Sequence, residues 1–200
     1  MHSIVHEALP TWVACDCPTH GIPTAAMDTD AFDRVMTSLD SPMVVVTTAA
    51  GDERAGCLVG FHTQVSIDPR RYAVWLSKAN HTFRVALLAR HLVVHALTGD
   101  DGDLAELFGT KSGDDVDKFA ACEWRPLDDG LPRLTACRAG MVLRRTGLFD
   151  DGGDHVCFVG EPADAWDDGP FEPLRLSDVG DLDAGHDVDE RPVPPTERAG

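Results

Sequence analysis

Long apolar runs are absent from this chain of 200 residues. No stretch approaches the roughly 18 consecutive apolar residues of a membrane-spanning helix, so no span is expected. Positive charge is scarce too. Lys and Arg together number 17 against 34 Asp and Glu, a net charge of -17. Such a balance repels phosphate backbones and anionic lipid, which argues against nucleic acid and membranes as partners. The N-terminal MHSIVHEALP lacks a basic region and an apolar core, so it does not read as a signal peptide. A cytoplasmic chain is expected, with its six Cys as reduced thiols. They form no C-x-x-C pair and no disulfide-like spacing. Also missing are G-x-S-x-G, H-E-x-x-H, G-x-x-x-x-G-K-[ST] and G-x-G-x-x-G. No nucleophile, acid and base set stands out.

What is present centres on residues 54–83, RAGCLVGFHTQVSIDPRRYAVWLSKANHTF. The pattern predicts strands over 55–60, 62–67 and 72–77, a turn at Asp68-Pro69, and a helix starting at Asn80. Gly56 and Gly60 inside a strand pattern mark a bulge or the close approach of a ligand or backbone. His62, Thr63, Gln64 and Ser66 put polar groups on what is otherwise core strand. Ser77-Lys78-Ala79-Asn80-His81-Thr82 gathers hydroxyl, ammonium and amide groups before a helix N-terminus, where free N–H groups favour an anion. A Gly-thinned strand for a flat ring, then a cationic turn for a phosphate, suggests a flavin mononucleotide site.

Upstream, residues 30–39 have helical spacing at Phe32, Val35, Met36 and Leu39, with Asp30 as the expected N-cap. Residues 43–48 (MVVVTT) read as a buried strand and Gly51-Asp52 as a hairpin turn. Downstream, 80–90 reads as a helix with Phe83, Leu87 and Leu88 inward, and 91–97 as a strand. Residues 103–108 and 113–119 are expected as short helices, and 122–124 and 136–148 as strands. Asp150-Asp151-Gly152-Gly153-Asp154 is a tight acidic turn that delivers His155 to a last strand.

Two groupings could be read as metal ligands. Cys15-x-Cys17-x-x-His20 offers three soft ligands, but a zinc site needs a fourth; an ordinary loop is the simpler reading. His91 and His95 share a face without a third ligand nearby, so surface or satisfied core histidines are expected. No metal is expected.

The run from Gly56 to Pro69 resembles the flavin reductase family, whose motif is roughly G-M-T-V-(N/S)-S-F-x-S-V-S-x-(D/x)-P-P. Residues 153–161 (GDHVCFVGE) resemble that family's G-D-H-x-x-F-x-G-E-V strand, and Gly130-Leu131-Pro132-Arg133-Leu134 adds a third match. Their order and separation carry the likeness over about residues 30–165. The resemblance implies a mainly β fold, the FMN-binding split β-barrel with a few flanking short helices. It implies an NAD(P)H-dependent flavin reductase that passes hydride from nicotinamide C4 to flavin N5, possible also as the reductase component of a two-component flavin monooxygenase. The cofactor would be FMN, with FAD as the alternative, and NADH or NADPH would be the transient reductant. Free flavin, NAD(P)H, a second copy in a homodimer and a partner monooxygenase are the implied partners.

On the same resemblance, Leu58, Val59, Gly60, Phe61 and His62 would lie along the isoalloxazine ring. Gln64 and Ser66 would reach the ribityl chain or phosphate. Ser77, Lys78, Asn80 and Thr82 would hold the phosphate, and His155 would sit at the nicotinamide as the catalytic residue. The chain departs from the motif at Leu58, Gly60 and Gln64, where Thr, Asn or Ser, and Ser are usual. Those side chains bond the flavin in the family. A split barrel holding flavin, a deazaflavin or haem without reductase turnover is therefore the alternative. An interaction module with no chromophore, recruiting a basic partner through an acidic tail, is a third reading.

The domain plan is an N-terminal extension (1–27), the split-barrel domain (28–165) and a tail (166–200). Residues 164–200 hold 11 acidic and 3 basic side chains, a composition that predicts little independent structure. Phe171, Leu174 and Leu176 are expected to dock only briefly, and disorder is expected beyond about Asp178.

Overall fold

The computed structural model describes residues 27–180 and 182. The Cys15, Cys17 and His20 grouping and the tail beyond 182 lie outside the described residues. The elements run α1 (Thr29–Leu39), β1 (Val44–Ala50), β2 (Glu53–Val59), β3 (His62–Ser66), β4 (Arg71–Ser77), α2 (His81–Leu88) and β5 (His91–Ala96). Then follow α3 (Gly102–Thr110), β6 (Trp124–Pro126), β7 (Pro132–Leu134), β8 (Ala139–Phe149) and β9 (His155–Asp167).

Seven strands pair antiparallel in the order β2-β1-β5-β8-β9-β4-β3. The two ends of that order, β2 and β3, are joined by Gly60 and Phe61 alone. Six inter-strand gaps in a flat sheet would span about 29 Å, while the three Cα steps from Val59 to His62 reach at most about 11 Å. The sheet must therefore roll until its ends meet. Trp75 N–H donates to the Phe61 carbonyl at 2.9 Å, carrying the β3–β4 pairing on into that link. This is the split-barrel fold.

Strand alternation sorts side chains between two cores. Val44, Val46, Cys57, Val59, Val74, Leu76, Val156 and Phe158 fill the barrel with Phe83 of α2. Val45 and Leu58 turn the other way, into a second core with Phe108 of α3, Phe119, Leu134 and Leu174. Gly56 serves this second core: a Cβ there would lie 2.7 Å from the Phe108 ring. Its small size makes room for protein packing. Lys118 sits beside it, buried, donating to the carbonyls of Gly56 (3.0 Å) and Phe108 (3.2 Å).

Several expectations need correction. The cap of α1 is Asp28, whose carboxylate accepts from Ala31 N–H at 3.0 Å. The apolar face of α1 has the expected period, yet Phe32, Val35, Met36 and Leu39 are exposed. Leu88 points outward on the last turn of α2. Residues 113–119 form no α-helix; a single 3-10 turn spans Lys118–Ala120. Gly113 and the successive Asp114 and Asp115 favour turns, and burial of Lys118 pins the loop to β2. The boundary after 165 cuts through β9, which continues to Asp167. Beyond it, Leu174 is buried, donating to the Leu97 carbonyl and accepting from Met43 N–H, both at 2.8 Å.

Candidate functional site

The β-sheet seam brings together much of the predicted site. β4 and β9 pair in register so that Ser77 faces His155. The β2–β3 link places the exposed ring of Phe61 edge-on to the His155 ring, with centroids 5.1 Å apart. Lys78 follows Ser77 directly, and its N–H donates to the Asp154 carbonyl at 2.9 Å. Asn80 then caps α2, accepting from Thr82 N–H at 2.9 Å. Phe61, Ser77, Lys78, Asn80 and His155 thus converge from three separate segments.

The acidic turn supplies the charge around them. Asp154 bonds His155 Nδ1 at 2.8 Å, and this bond holds the Asp154 carboxyl below the usual range. Lys78 Nζ lies 2.9 Å from Asp150. Asp150 is also held low, first by the Gly152 N–H and then by Lys78. Sequence reasoning placed the turn next to His155 but not these two pairings. The adjacency of Asp154 and His155 was the available signal; the reach of Lys78 to Asp150 depends on the β4–β9 register.

Other predicted residues have structural employment. The Leu58 side chain packs beneath α3 and that of Val59 fills the barrel, so both offer only backbone to a ligand. Gly60 lies against Met43, whose sulfur would stand 3.2 Å from an added Cβ. His62 has both ring nitrogens engaged, by the Tyr72 hydroxyl and by the Pro42 carbonyl at 2.9 Å. Burial lowers its pKa despite the Pro42 bond. Thr82 is buried, its side chain against the Cys57 thiol in the barrel core. Gln64 donates to the Ser66 carbonyl at 3.1 Å, and Ser66 pairs with Arg71 at the far end of β4 from Ser77. Six residue steps of strand separate the two ends, about 20 Å. One phosphate cannot touch both Ser66 and Ser77.

The residues left available fit a group with a flat ring and an anionic tail. Phe61 and His155 present ring edges and faces, while Lys78 and the N-terminus of α2 present positive charge. Nothing at the seam resembles a metal centre, and no cluster of three potential metal-ligating side chains occurs among the described residues. His95 is a satisfied core histidine, and His91 lies 3.8 Å from Asp129.

A family model described as "Flavin reductase like domain" matches residues 36–179. The chain belongs to that family. Among curated relatives, the high molecular weight rubredoxin of Moorella thermoacetica is 29% identical over 140 residues, covering 70% of this chain and 59% of that protein. The reductase subunit HsaB of a flavin-dependent monooxygenase from Mycobacterium tuberculosis is 26% identical over 137 residues, covering 68% of this chain and 71% of its own. A solved structure of a Sinorhizobium meliloti protein superposes with a TM-score of 0.66 at 23% identity, over 74% of this chain and 51% of that one. The chain thus spans little more than half the length of the first and last of these.

Proposed function

We propose that this flavin reductase family member is an NAD(P)H-dependent flavin reductase that takes FMN, with FAD as the alternative. When bound, the flavin supplies the hydride-accepting and electron-donating chemistry that no side chain offers. The chain's part is to bind, orient and shield. The backbone of 58–62 and the Phe61 ring would flank the flavin ring. Lys78, with Ser77 and the Asn80-capped start of α2, would hold the phosphate. His155, its Nδ1 bonded to Asp154, would present Nε2 toward the nicotinamide. The observation that carries this reading is the convergence of Phe61, Lys78 and His155 on one seam. Gln64 and Ser66 are left to the opposite end of β3, and Thr82 to the core.

The likeness to HsaB supports a flavin-dependent monooxygenase as the acceptor of reduced flavin. A homodimer is part of the same reading, and the exposed Phe61 at the seam, with the exposed Val65 and Ile67 toward the far end of β3, is consistent with it. Sedimentation at two protein concentrations tests the dimer.

The visible absorption spectrum of the purified protein comes first, then NADH and NADPH oxidation with and without added FMN. A flavin spectrum, or FMN-stimulated oxidation that falls at least about tenfold in Lys78→Ala or His155→Ala, is expected. A deazaflavin or haem spectrum would replace this reading with a split barrel serving another cofactor. A colourless protein that neither binds FMN nor oxidises either nucleotide would sink it.

A further inference from the structure

Lys78 already has an anion. Its ammonium lies 2.9 Å from Asp150 Oδ1, and the Lys78 side chain is only 12% exposed while that of Asp150 is 41% exposed. The carboxylate is preset for this role. Asp150 Oδ1 also accepts from Gly152 N–H at 2.9 Å, and Gly152 takes φ +91, a conformation side chains rarely adopt. The Lys78 backbone is tied to the same turn through the Asp154 carbonyl. The other acids of the turn point elsewhere: Asp151 accepts from Gly153 N–H and Asp154 bonds His155. Asp150 is therefore the carboxylate of this turn that occupies the ammonium assigned above to the flavin phosphate.

A phosphate arriving at Lys78 has two routes. It displaces Asp150 and forfeits an existing ion pair, or it binds beside Asp150 and meets like charge. Both weaken binding of the anionic end, and neither touches the ring. We propose that Asp150 is a built-in competitor for the flavin phosphate, a residue that sets FMN affinity and keeps the cofactor exchangeable. This rests on the assignment of Lys78 to the phosphate. It makes the acidic turn more than a hairpin connection: its first residue tunes release, and its last orients His155.

Asp150→Asn is the informative variant, because the amide oxygen still accepts from Gly152 N–H while the charge is gone. The pair is partly exposed, so the effect is that of one charge interaction in water. FMN is expected to bind about fivefold tighter in D150N. Riboflavin, which has the ring without the phosphate, is expected to bind equally well to both. The tightening should vanish when Lys78→Ala is added. Fluorescence titration of FMN and riboflavin against the full-length wild type, D150N, K78A and the double variant reads all of this. FMN preferred over riboflavin, with the preference lost in K78A but unchanged in D150N, overturns the competitor role and leaves the phosphate assignment intact. FMN bound no better than riboflavin in the wild type and unaffected by K78A overturns both. Weaker FMN binding in D150N would make Asp150 a support for Lys78 and reverse the proposal.

Discussion

At the scale of single residues, His95 shows how a buried polar group is kept. Leu134 N–H donates to its Nε2 at 3.0 Å, so that nitrogen carries no proton, and Nδ1–H donates to the Val45 carbonyl at 3.1 Å. Protonating Nε2 would set two donors against each other in a site closed to water. Burial accordingly takes the pKa from the ordinary 6.5 down to about 4, with the Val45 bond opposing and the Arg133 charge assisting. The unfolded chain therefore takes up a proton between these two values that the folded chain refuses. Stability falls as pH drops through that window, by on the order of 3 kcal/mol at its lower end. Urea unfolding of wild type and His95→Gln, each near neutral pH and near pH 4, checks this. The wild type should lose more stability on acidification than the variant; parallel losses would contradict it. The sequence already favoured a surface or core histidine over a metal ligand here. Its two partners, 50 and 39 residues away, became visible only once β1 and β7 were placed beside β5.

At the scale of elements, β8 and β9 form the long hairpin that carries the seam at one end and the β5 contact at the other. Their crossing of the sheet depends on small residues. An added Cβ at Gly140 would lie 2.4 Å from both the Trp166 ring and the Val94 carbonyl oxygen. A ring can turn aside, but a paired strand backbone cannot. Gly140→Ala is expected to cost about 3 kcal/mol or more, seen as a fall in Tm of roughly 6–12 °C. An unchanged melt would show that β5 and β8 part more easily than their pairing suggests. Most elements were legible from period and turn chemistry: the paired strands around Gly51-Asp52, the Asn80 cap, and β9 opening at His155. Two readings failed where periodicity met tertiary demand. Residues 113–119 have helical apolar spacing, yet Lys118 is drawn down to β2 and the chain turns instead. Leu88 has the spacing of an inward residue, yet α2 is so short that its last turn overhangs the barrel.

At the scale of the whole molecule, the acidic C-terminal stretch divides differently from its composition. Low hydropathy and 11 acidic residues over 164–200 predict a solvated tail, but 166–180 is built into the body. Pro42 bridges to Arg175 and Thr98 to Pro173, Trp166 donates to the Cys137 carbonyl at 3.1 Å, and Asp40 accepts from both the Ser177 N–H and hydroxyl. A chain ended after Ala165 is expected to lose this clasp together with the Leu174 anchor. Burial of one Leu side chain is worth about 2–5 kcal/mol on removal, a large share of the stability of a domain this size. The truncated protein should melt far lower or fail to stay soluble, whereas an unchanged melt would return the boundary to residue 165. Leu174→Ala in the full chain gives the same test in milder form.

The sequence by itself determined most of the strand and helix types, the acidic charge and the family. These follow from side-chain period, charge count and short motifs, which are local quantities. It also singled out the segments that the seam brings together, because Phe61 and His155 lie in the family-like motifs and Ser77-Lys78 lies in a polar run before a helix start. Only the tertiary structure decided which side chains within those motifs remain available. Closing the sheet turned Leu58 and Val59 into two different cores, engaged both nitrogens of His62, buried Thr82, and set Ser66 a strand's length from Ser77. It also brought Asp150 onto Lys78. Each outcome depends on which face of a strand a residue occupies once the barrel has closed, and on which strand becomes its neighbour. A linear pattern specifies the alternation, but the direction of the core becomes known only when the ends of the sheet meet.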